Sequence, residues 1–304
     1  MLSILIPTYN YDITKLVNDL HHQAEELGVD YEIIVMEDGS EKFLEENQSV
    51  TSLKNCNYIR LSENVGRSAI RNKLADVAKY EFLLFLDCDA AIPNRDFLSK
   101  YLSFCDEPGV VLGGRIYNQN DTNPAHSLLR KYGTKKECND LNNLIQRHKF
   151  PVFTSPNFLI AKSLFNKVRF DESIKGYGHE DTIFGIKLQE SDLQFNFIDN
   201  PVIHVGLETN SIFLKKSEVS VIKLYDLYVS GNYPGLVEIS KLLRIFNKLR
   251  KYHLVKLFSL KFYIIKPLMI RNLTGKNPSL FMYDLYKLLF LCSYVVKTDK
   301  MTAP

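Results

Sequence analysis

Two carboxylates two residues apart, Asp87 and Asp89, follow the apolar run Phe82-Leu83-Leu84-Phe85-Leu86. Strand period would put both on one side of the chain. A carboxylate pair leaving a buried strand suits a hard divalent cation, Mg2+ or Mn2+, whose shell is usually completed by water and substrate phosphate oxygens. Asp-x-Asp also arises in ordinary turns, so the pair takes its meaning from its place after a strand. His204, in Pro201-Val202-Ile203-His204-Val205, sits in an apolar strand, where a lone imidazole is usually a satisfied core residue. Its surroundings decide whether it is a metal ligand.

A second group of ionisable residues lies in Gly176-Tyr177-Gly178-His179-Glu180-Asp181, where a helix should begin. Acids there complement the helix dipole. Alternatively, the glycines let the chain approach a ligand while one carboxylate acts as general base toward a hydroxyl. Arg67 and Arg71, four apart near the start of a helix that Gly66 opens, form either an anion site or a solvated helix face. Asp38, in Glu37-Asp38-Gly39-Ser40, either accepts from a nucleobase N–H or ribose hydroxyl, or makes an Asp-Gly turn or helix cap.

The elements that must position these groups alternate. Ser3–Ile6 reads as a strand, and apolar residues at 13, 16, 17, 20, 24 and 27 have helical spacing. Strands follow at 31–36, 58–61 and 81–86, with a helix over 66–79. Near-continuous apolar strands separated by helices predict an α/β fold with a mostly parallel sheet covered on both faces. Ligands bind at the carboxyl ends of such strands, where Pro7-Thr8-Tyr9-Asn10, Glu37–Ser40, Ser62–Arg67 and Asp87-Cys88-Asp89 all fall. From Gly114 to Pro151 the periodicity fades, and a long loop is expected, of the kind that forms lids or acceptor sites. A strand at 157–160, helices at 163–168 and 181–189, and strands at 195–198 and 201–205 follow; beyond Ser211 the chain reads as helical.

Length and composition add limits. With 304 residues, 45% hydrophobic, the chain can hold one large α/β core and an appendage, here a catalytic domain over 1–210 and a helical extension over 211–304. The apolar N-terminus has no basic segment before it and no small-residue cleavage site after it, so it reads as a buried strand. Five scattered cysteines without a Cys-x-x-Cys pair argue against a disulfide framework or a structural zinc, and fit a reducing, cytoplasmic setting. The net charge of +3 conceals an asymmetry: residues 235–304 carry thirteen Lys/Arg against three acids, a balance of +10 that leaves residues 1–234 at −7. A basic tail mixed with apolar residues points to anionic lipid or an anionic partner. Charges interrupt Leu254–Ile270 and Leu280–Val296 before either reaches about 18 uncharged apolar residues, which favours peripheral docking on a membrane face over spanning. Packing on the core, or on a second subunit as in a homodimer, is the alternative.

Together these clusters resemble the family 2 glycosyltransferases: Ser3-Ile4-Leu5-Ile6-Pro7-Thr8-Tyr9-Asn10 is similar to the family's opening strand, Glu37-Asp38-Gly39-Ser40 to its acidic second turn, and Asn64-Val65-Gly66-Arg67-Ser68-Ala69-Ile70-Arg71-Asn72 to its glycine-containing third motif. Five motifs in order over residues 2–206 carry the resemblance. It implies a GT-A nucleotide-diphospho-sugar transferase fold, a metal-assisted inverting displacement, a nucleotide-sugar donor that is usually a UDP-sugar, and a glycan or lipid-linked acceptor. Pro7, Thr8 and Tyr9 would belong to the donor site, Thr8 and Tyr9 lining the base. Asp38 would bond uracil, Arg67 and Arg71 would sit by the nucleotide, and Asp87 would approach ribose or metal. Asp89 would be the principal ligand of Mn2+ or Mg2+, with His204 completing the site. The pair Glu180-Asp181 is similar to the family's Glu-Asp motif, which makes Asp181 the base and Glu180 its acceptor-orienting neighbour. The second motif departs from the usual Asp-Asp, and the tail beyond Ser211 matches no catalytic motif.

Two rival readings remain at this level: a nucleotidyltransferase that makes the nucleotide sugar, and a silent scaffold that binds sugar or membrane. The first usually has a Gly-rich, basic loop after the opening strand, where this chain has Pro7-Thr8-Tyr9-Asn10; Asp87, Asp89 and Asp181 oppose the second. The absence of Gly-x-Gly-x-x-Gly from the first turn disfavours a dinucleotide dehydrogenase, and no nucleic-acid-binding module is present.

Overall fold

In a computed structural model, which describes residues 1–105, 109–118, 120–138, 153–191 and 193–301, the early apolar runs form strands of one sheet. β1 (Leu2–Thr8), β2 (Tyr31–Glu37), β3 (Cys56–Arg60) and β4 (Phe82–Leu86) are parallel. Three more strands extend the sheet, and three short ones, β5 (Ala90–Ala91), β7 (Arg115–Tyr117) and β10 (Val202–His204), form a second sheet in the order β5-β10-β7. With β6 (Val110–Leu112), β8 (Asn157–Ala161) and β9 (Phe195–Phe197), the main sheet runs β3-β2-β1-β4-β8-β6-β9, β8 being antiparallel to both of its neighbours.

Period-two alternation splits the core. Ile4, Ile6, Leu84 and Leu86 face one side of the sheet, where they meet Leu16, Val17, Leu20 and Ala24 of α1 (Thr14–Leu27). Leu5, Leu83 and Phe85 face the other, against Ile70 and Leu74 of α3 (Arg67–Val77); a short α2 (Leu44–Gln48) lies between α1 and α3 in sequence. On that second face phenylalanines join distant segments. Phe85 stacks on Phe158 at 4.8 Å, and Phe170 on Phe184 at 4.0 Å. Phe184 belongs to α7 (Glu180–Glu190), which follows α4 (Phe97–Leu102), α5 (Ser127–Tyr132) and α6 (Lys162–Val168). Each buried ring contributes about 1.5–3 kcal/mol, so α7 is pinned by its apolar side and its first turn has a fixed place.

The chain divides into two compact units. One comprises Met1–Asn118, Glu137–Gly176 and Glu180–Gly206; the other comprises Gln119–Lys136, Tyr177–His179 and Leu207–Pro304. The long loop expected over 114–151 is corrected in part. Arg115–Tyr117 is a strand, and Ser127–Tyr132 is a helix followed by a π-turn over Gly133–Glu137; 139–151 lies outside the described residues. Asn210 shows why 119–136 belongs with the C-terminal helices: its side chain accepts from the Leu128 N–H at 2.8 Å and donates to the Pro124 carbonyl at 3.0 Å. The second unit contains α8 (Asn210–Ser230), α9 (Leu236–Ile239), α10 (Lys241–Lys251), α11 (Val255–Leu273) and α12 (Leu280–Met301). Val221, Phe246, Leu291 and Cys292 form its core.

Buried asparagines hold the loop ends of the first unit. Asn157, 2% exposed, accepts from the Tyr101 hydroxyl at 2.6 Å and donates to the carbonyls of Gly114 and Asn200 at 3.0 and 2.8 Å. Truncation leaves several buried polar groups unpaired, each worth about 1–3 kcal/mol. Asn157→Ala is therefore expected to lower unfolding stability by about 2–4 kcal/mol in urea titration; a loss below about 0.5 kcal/mol would show that the network contributes nothing.

Candidate active site

The first strand end contributes backbone more than side chain. Thr8 is buried, and its carbonyl accepts the Asp38 N–H at 2.8 Å; Pro7 is partly buried and Tyr9 is exposed. Glu37 is a buried anchor: it accepts from Asn47 at 2.7 Å, from Tyr58 at 3.1 Å and from the Ser40 hydroxyl. Asp38 is 5% exposed, and its two oxygens accept the N–H groups of Val65 at 2.6 Å and Gly66 at 3.1 Å. Burial raises the Asp38 carboxyl and those two amides pull it back. A carboxylate has about four lone-pair positions, so Asp38 keeps acceptor capacity after tying β2 to the loop before α3. Gly39 is required there: with φ +68°, a Cβ would come within 2.6 Å of the Asn64 nitrogen.

The two arginines of α3 part company. Arg71 is 4% exposed, so the solvated-face reading fails for it. Its Nη2 donates to Asp87 Oδ1 at 2.7 Å and its guanidinium lies 5.5 Å from the centre of the Phe170 ring. Arg67, half exposed, donates through Nη1 to Glu180 Oε1 at 3.2 Å. The turn after β4 does not keep strand period, since the Ala90 N–H bonds back to the Asp87 carbonyl at 3.2 Å. The two acids are thereby directed to different partners: Asp87 to Arg71, Asp89 to His204, whose Nε2 lies 3.2 Å from Asp89 Oδ2.

The second sheet explains that meeting. β10 pairs with β5 so that His204 lies opposite Ala90, and with β7 so that it lies opposite Tyr117, whose ring centre is 5.3 Å from the imidazole. The Val205 N–H donates to the Asp89 carbonyl at 2.9 Å, and at Gly206 a Cβ would come 2.9 Å from the Asp89 Cβ. Arg115 of β7 donates to Glu137 at 2.7 Å, and Tyr117 donates to the same carboxylate. Burial would raise the Asp89 carboxyl, but the hydrogen bond and charge of His204, with Arg115 and Arg67, hold it below its ordinary value.

Among the described residues no group of three His, Cys, Asp or Glu side chains is poised around one point; of the expected trio, Asp89 and His204 meet while Asp87 is engaged by Arg71. The pair itself fits a cation. It offers a carboxylate oxygen, the ligand such cations take, and an imidazole nitrogen 3.2 Å from it. The second ring nitrogen of His204, Nδ1, is buried without a hydrogen-bond partner among the described residues.

At the start of α7 two neighbouring acids differ in character. Burial would raise Glu180, yet Arg67 and Arg71 outweigh it and hold the carboxyl below its usual range, while Glu180 Oε2 is buried and unpartnered among the described residues. Burial first, then the adjacent charge of Glu180, push Asp181 up to about 6. Its Oδ1 accepts from the Thr182 N–H at 2.7 Å. Neighbouring acids driven apart in this way are suited to different roles, with the higher one poised to exchange a proton near neutrality.

Sequence reasoning singled out Asp38, Arg67, Arg71, Asp87, Asp89, Glu180, Asp181 and His204, and all lie in the first unit. It missed Gly206, Arg115, Glu137 and Asn157. Gly206, two residues after His204, carried a signal as a glycine closing an apolar strand; Arg115 and Glu137 lie 22 residues apart and carried none.

The Asp181 shift has a consequence for stability. A carboxyl raised from 3.8 to about 6 holds its proton longer in the folded chain than in the unfolded one, so its contribution to stability falls as pH rises between those values. Asp181→Asn removes that effect. The variant is expected to be more stable than the parent by about 2–3 kcal/mol at pH 8, with the difference vanishing toward pH 4; denaturant titrations at the two pH values measure it, and equal stabilities at both would contradict the shift.

The chain matches the profile of the family described as Glycosyl transferase family 2 over residues 3–169. It is 27% identical over 238 residues to a chondroitin synthase of Escherichia coli, covering 67% of this chain and 34% of that protein. It is 28% identical over 238 residues to a hyaluronan synthase of Pasteurella multocida, covering 65% and 24%. The chain thus spans about a third of the length of the first of these relatives and a quarter of the second. A mannosyltransferase from Pyrobaculum calidifontis, solved in complex with GDP-Man and Mn2+, has a TM-score of 0.57 at 13% identity and covers 99% of this chain and 88% of that one. That likeness is one of fold, the GT-A transferase architecture with helices at the C-terminus. Glu180, Asp181 and His204 lie beyond the matched stretch. The profile takes in more than half of the chain, including the strand ends that hold Asp38, Asp87 and Asp89 and the helix that holds Arg71, and the chain belongs to glycosyl transferase family 2.

Proposed function

We propose that the chain is an inverting glycosyltransferase that moves a sugar from a UDP-sugar donor to a hydroxyl of a glycan or lipid-linked acceptor during polysaccharide assembly. The observation that carries the reading is the division of charge in the first turn of α7: a carboxyl raised to about 6 beside one held low by arginine. Asp181 takes the proton of the acceptor hydroxyl as that oxygen bonds to the anomeric carbon and the bond to the diphosphate breaks; a single displacement from the opposite face inverts the centre. Glu180 keeps Oε1 on Arg67 and has Oε2 free to accept from an acceptor hydroxyl and orient it. The chondroitin and hyaluronan synthases it is similar to are consistent with a polysaccharide product.

On the donor side Thr8, Tyr9 and Asp38 serve the base, Pro7 shaping their turn, while Arg67 and Arg71 bring positive charge to the nucleotide. Asp87, held by Arg71, is left to the ribose. Asp89 and His204 would hold Mn2+ or Mg2+, which when bound supplies positive charge for the leaving diphosphate. Arg67 acts on both halves, since its charge helps to keep Asp89 and Glu180 ionised.

Asp181→Asn is expected to keep nucleotide binding and lose about 10²–10⁴ in kcat, and the parent's kcat/KM should rise as pH passes through about 6. Undiminished transfer by the variant would sink the base assignment. Gly206→Ala forces a methyl against Asp89; Mn2+ titration should show affinity about 10-fold weaker or more. Unchanged affinity would remove Asp89 and His204 from the metal site.

A further inference from the structure

Helix α11 has a surface that its own packing does not explain. Phe262, Met269 and Leu273 are buried, Phe262 lying edge-on to Tyr286 of α12 at 5.4 Å. The opposite side of a surface helix is normally polar. Here it carries Leu257 (47% exposed), Leu260 (65%), Ile264 (78%) and Leu268 (64%). At i, i+3, i+7 and i+11 these four form one stripe about 17 Å long. Lys256 and Lys261, both exposed, flank it.

Charge discriminates between candidate occupants of the stripe. Residues 239–283 hold ten Lys/Arg and no Asp or Glu. Among the described residues, the acid paired with this helix is Glu218, 3.8 Å from Lys266, and Lys266 projects on the packed side. A second copy docked by the same stripe would set lysines against lysines with no acid between them, an arrangement that like-charge repulsion opposes. An anionic lipid surface satisfies both features, since its headgroups attract the flanking lysines and its acyl boundary accepts the aliphatic stripe. Among the described residues no helix is long and apolar enough to cross a membrane.

We propose that the outward face of α11 docks the protein on an anionic membrane surface, the helix lying in the interface with Leu257, Leu260, Ile264 and Leu268 inserted and Lys256 and Lys261 at headgroup level. The proposal concerns the second unit and is independent of the transfer reaction. The test is co-sedimentation of the full chain with phosphatidylcholine vesicles, with and without phosphatidylglycerol, alongside sedimentation equilibrium. The parent should partition onto the anionic vesicles, weakly or not at all onto the neutral ones, and less as salt rises. A double variant Leu260→Gln with Ile264→Gln, and separately Lys256→Glu with Lys261→Glu, should each lower that partition by more than about tenfold while leaving the circular-dichroism spectrum unchanged. The positions are exposed, so the fold does not depend on them. No partition onto either vesicle, equal partition onto both, or partition unaffected by the variants would overturn the proposal. So would a dimer that Leu260→Gln with Ile264→Gln dissolves, which would assign the stripe to a second copy.

Discussion

A buried guanidinium has to find a carboxylate, and the site is arranged around that requirement at Arg71. With 4% of its surface exposed, Arg71 is ionised in a place where an unpaired charge is prohibitively expensive. Asp87 meets it at 2.7 Å, Ser155 and the Arg67 carbonyl take up further donors, and the Phe170 ring covers it. Removing one member of such a pair typically costs about 3–5 kcal/mol. The start of α3 is thereby locked to the end of β4. Once Asp87 is committed, the turn carries Asp89 to His204, and one helical turn before Arg71 the side chain of Arg67 reaches Glu180.

Electrostatic order across the site follows from the same geometry. Two cations on one helix serve acids on two other segments, Arg71 pairing with Asp87 and Arg67 with Glu180, and Asp181 is left raised by burial and by its neighbour's charge. Its raised carboxyl reflects that distribution, with burial on one side and the Glu180 charge on the other. Function of this kind works against stability, because a charge kept in a poorly solvated place weakens the folded state. Phe184, Phe170 and Phe158 offset the loss by fixing α7 through its apolar side. The result is a helix fixed by its apolar side with an electrostatically strained first turn, the feature on which the proposed proton transfer relies.

The alternation of strands and helices was legible because β1, β2 and β4 are long apolar runs and α1 and α3 have clear helical spacing. The strand-end positions of Asp38, Asp87 and Asp89 followed from that pattern. What was not legible was tertiary. β10 falls within the strand expected over 201–205, but β5 and β7 are two and three residues long, too short for any period to register, and the three together bring His204 to Asp89. The burial of Arg71 depends on Phe170 and Ser155, far along the chain, so its helix face looked as suited to solvent as to a ligand. Asp87 and Asp89 were expected to act together because strand period was carried past Leu86, where a turn ends it. The π-turn over Gly133–Glu137 and the helix before it sit in a polar stretch whose composition reads as loop; their ordering comes from Asn210 and Arg115, neither of them local.

The fold separates two adjacent carboxyls, Glu180 held low and Asp181 raised. Carbon-13 NMR of protein labelled at the aspartate carboxyl carbons, titrated by pH, observes this without substrate or metal. One aspartate signal is expected to titrate at about 6, to be absent from spectra of Asp181→Asn and to shift downward in Glu180→Gln. An Asp181 signal titrating with the ordinary surface aspartates, near about 4, would contradict it.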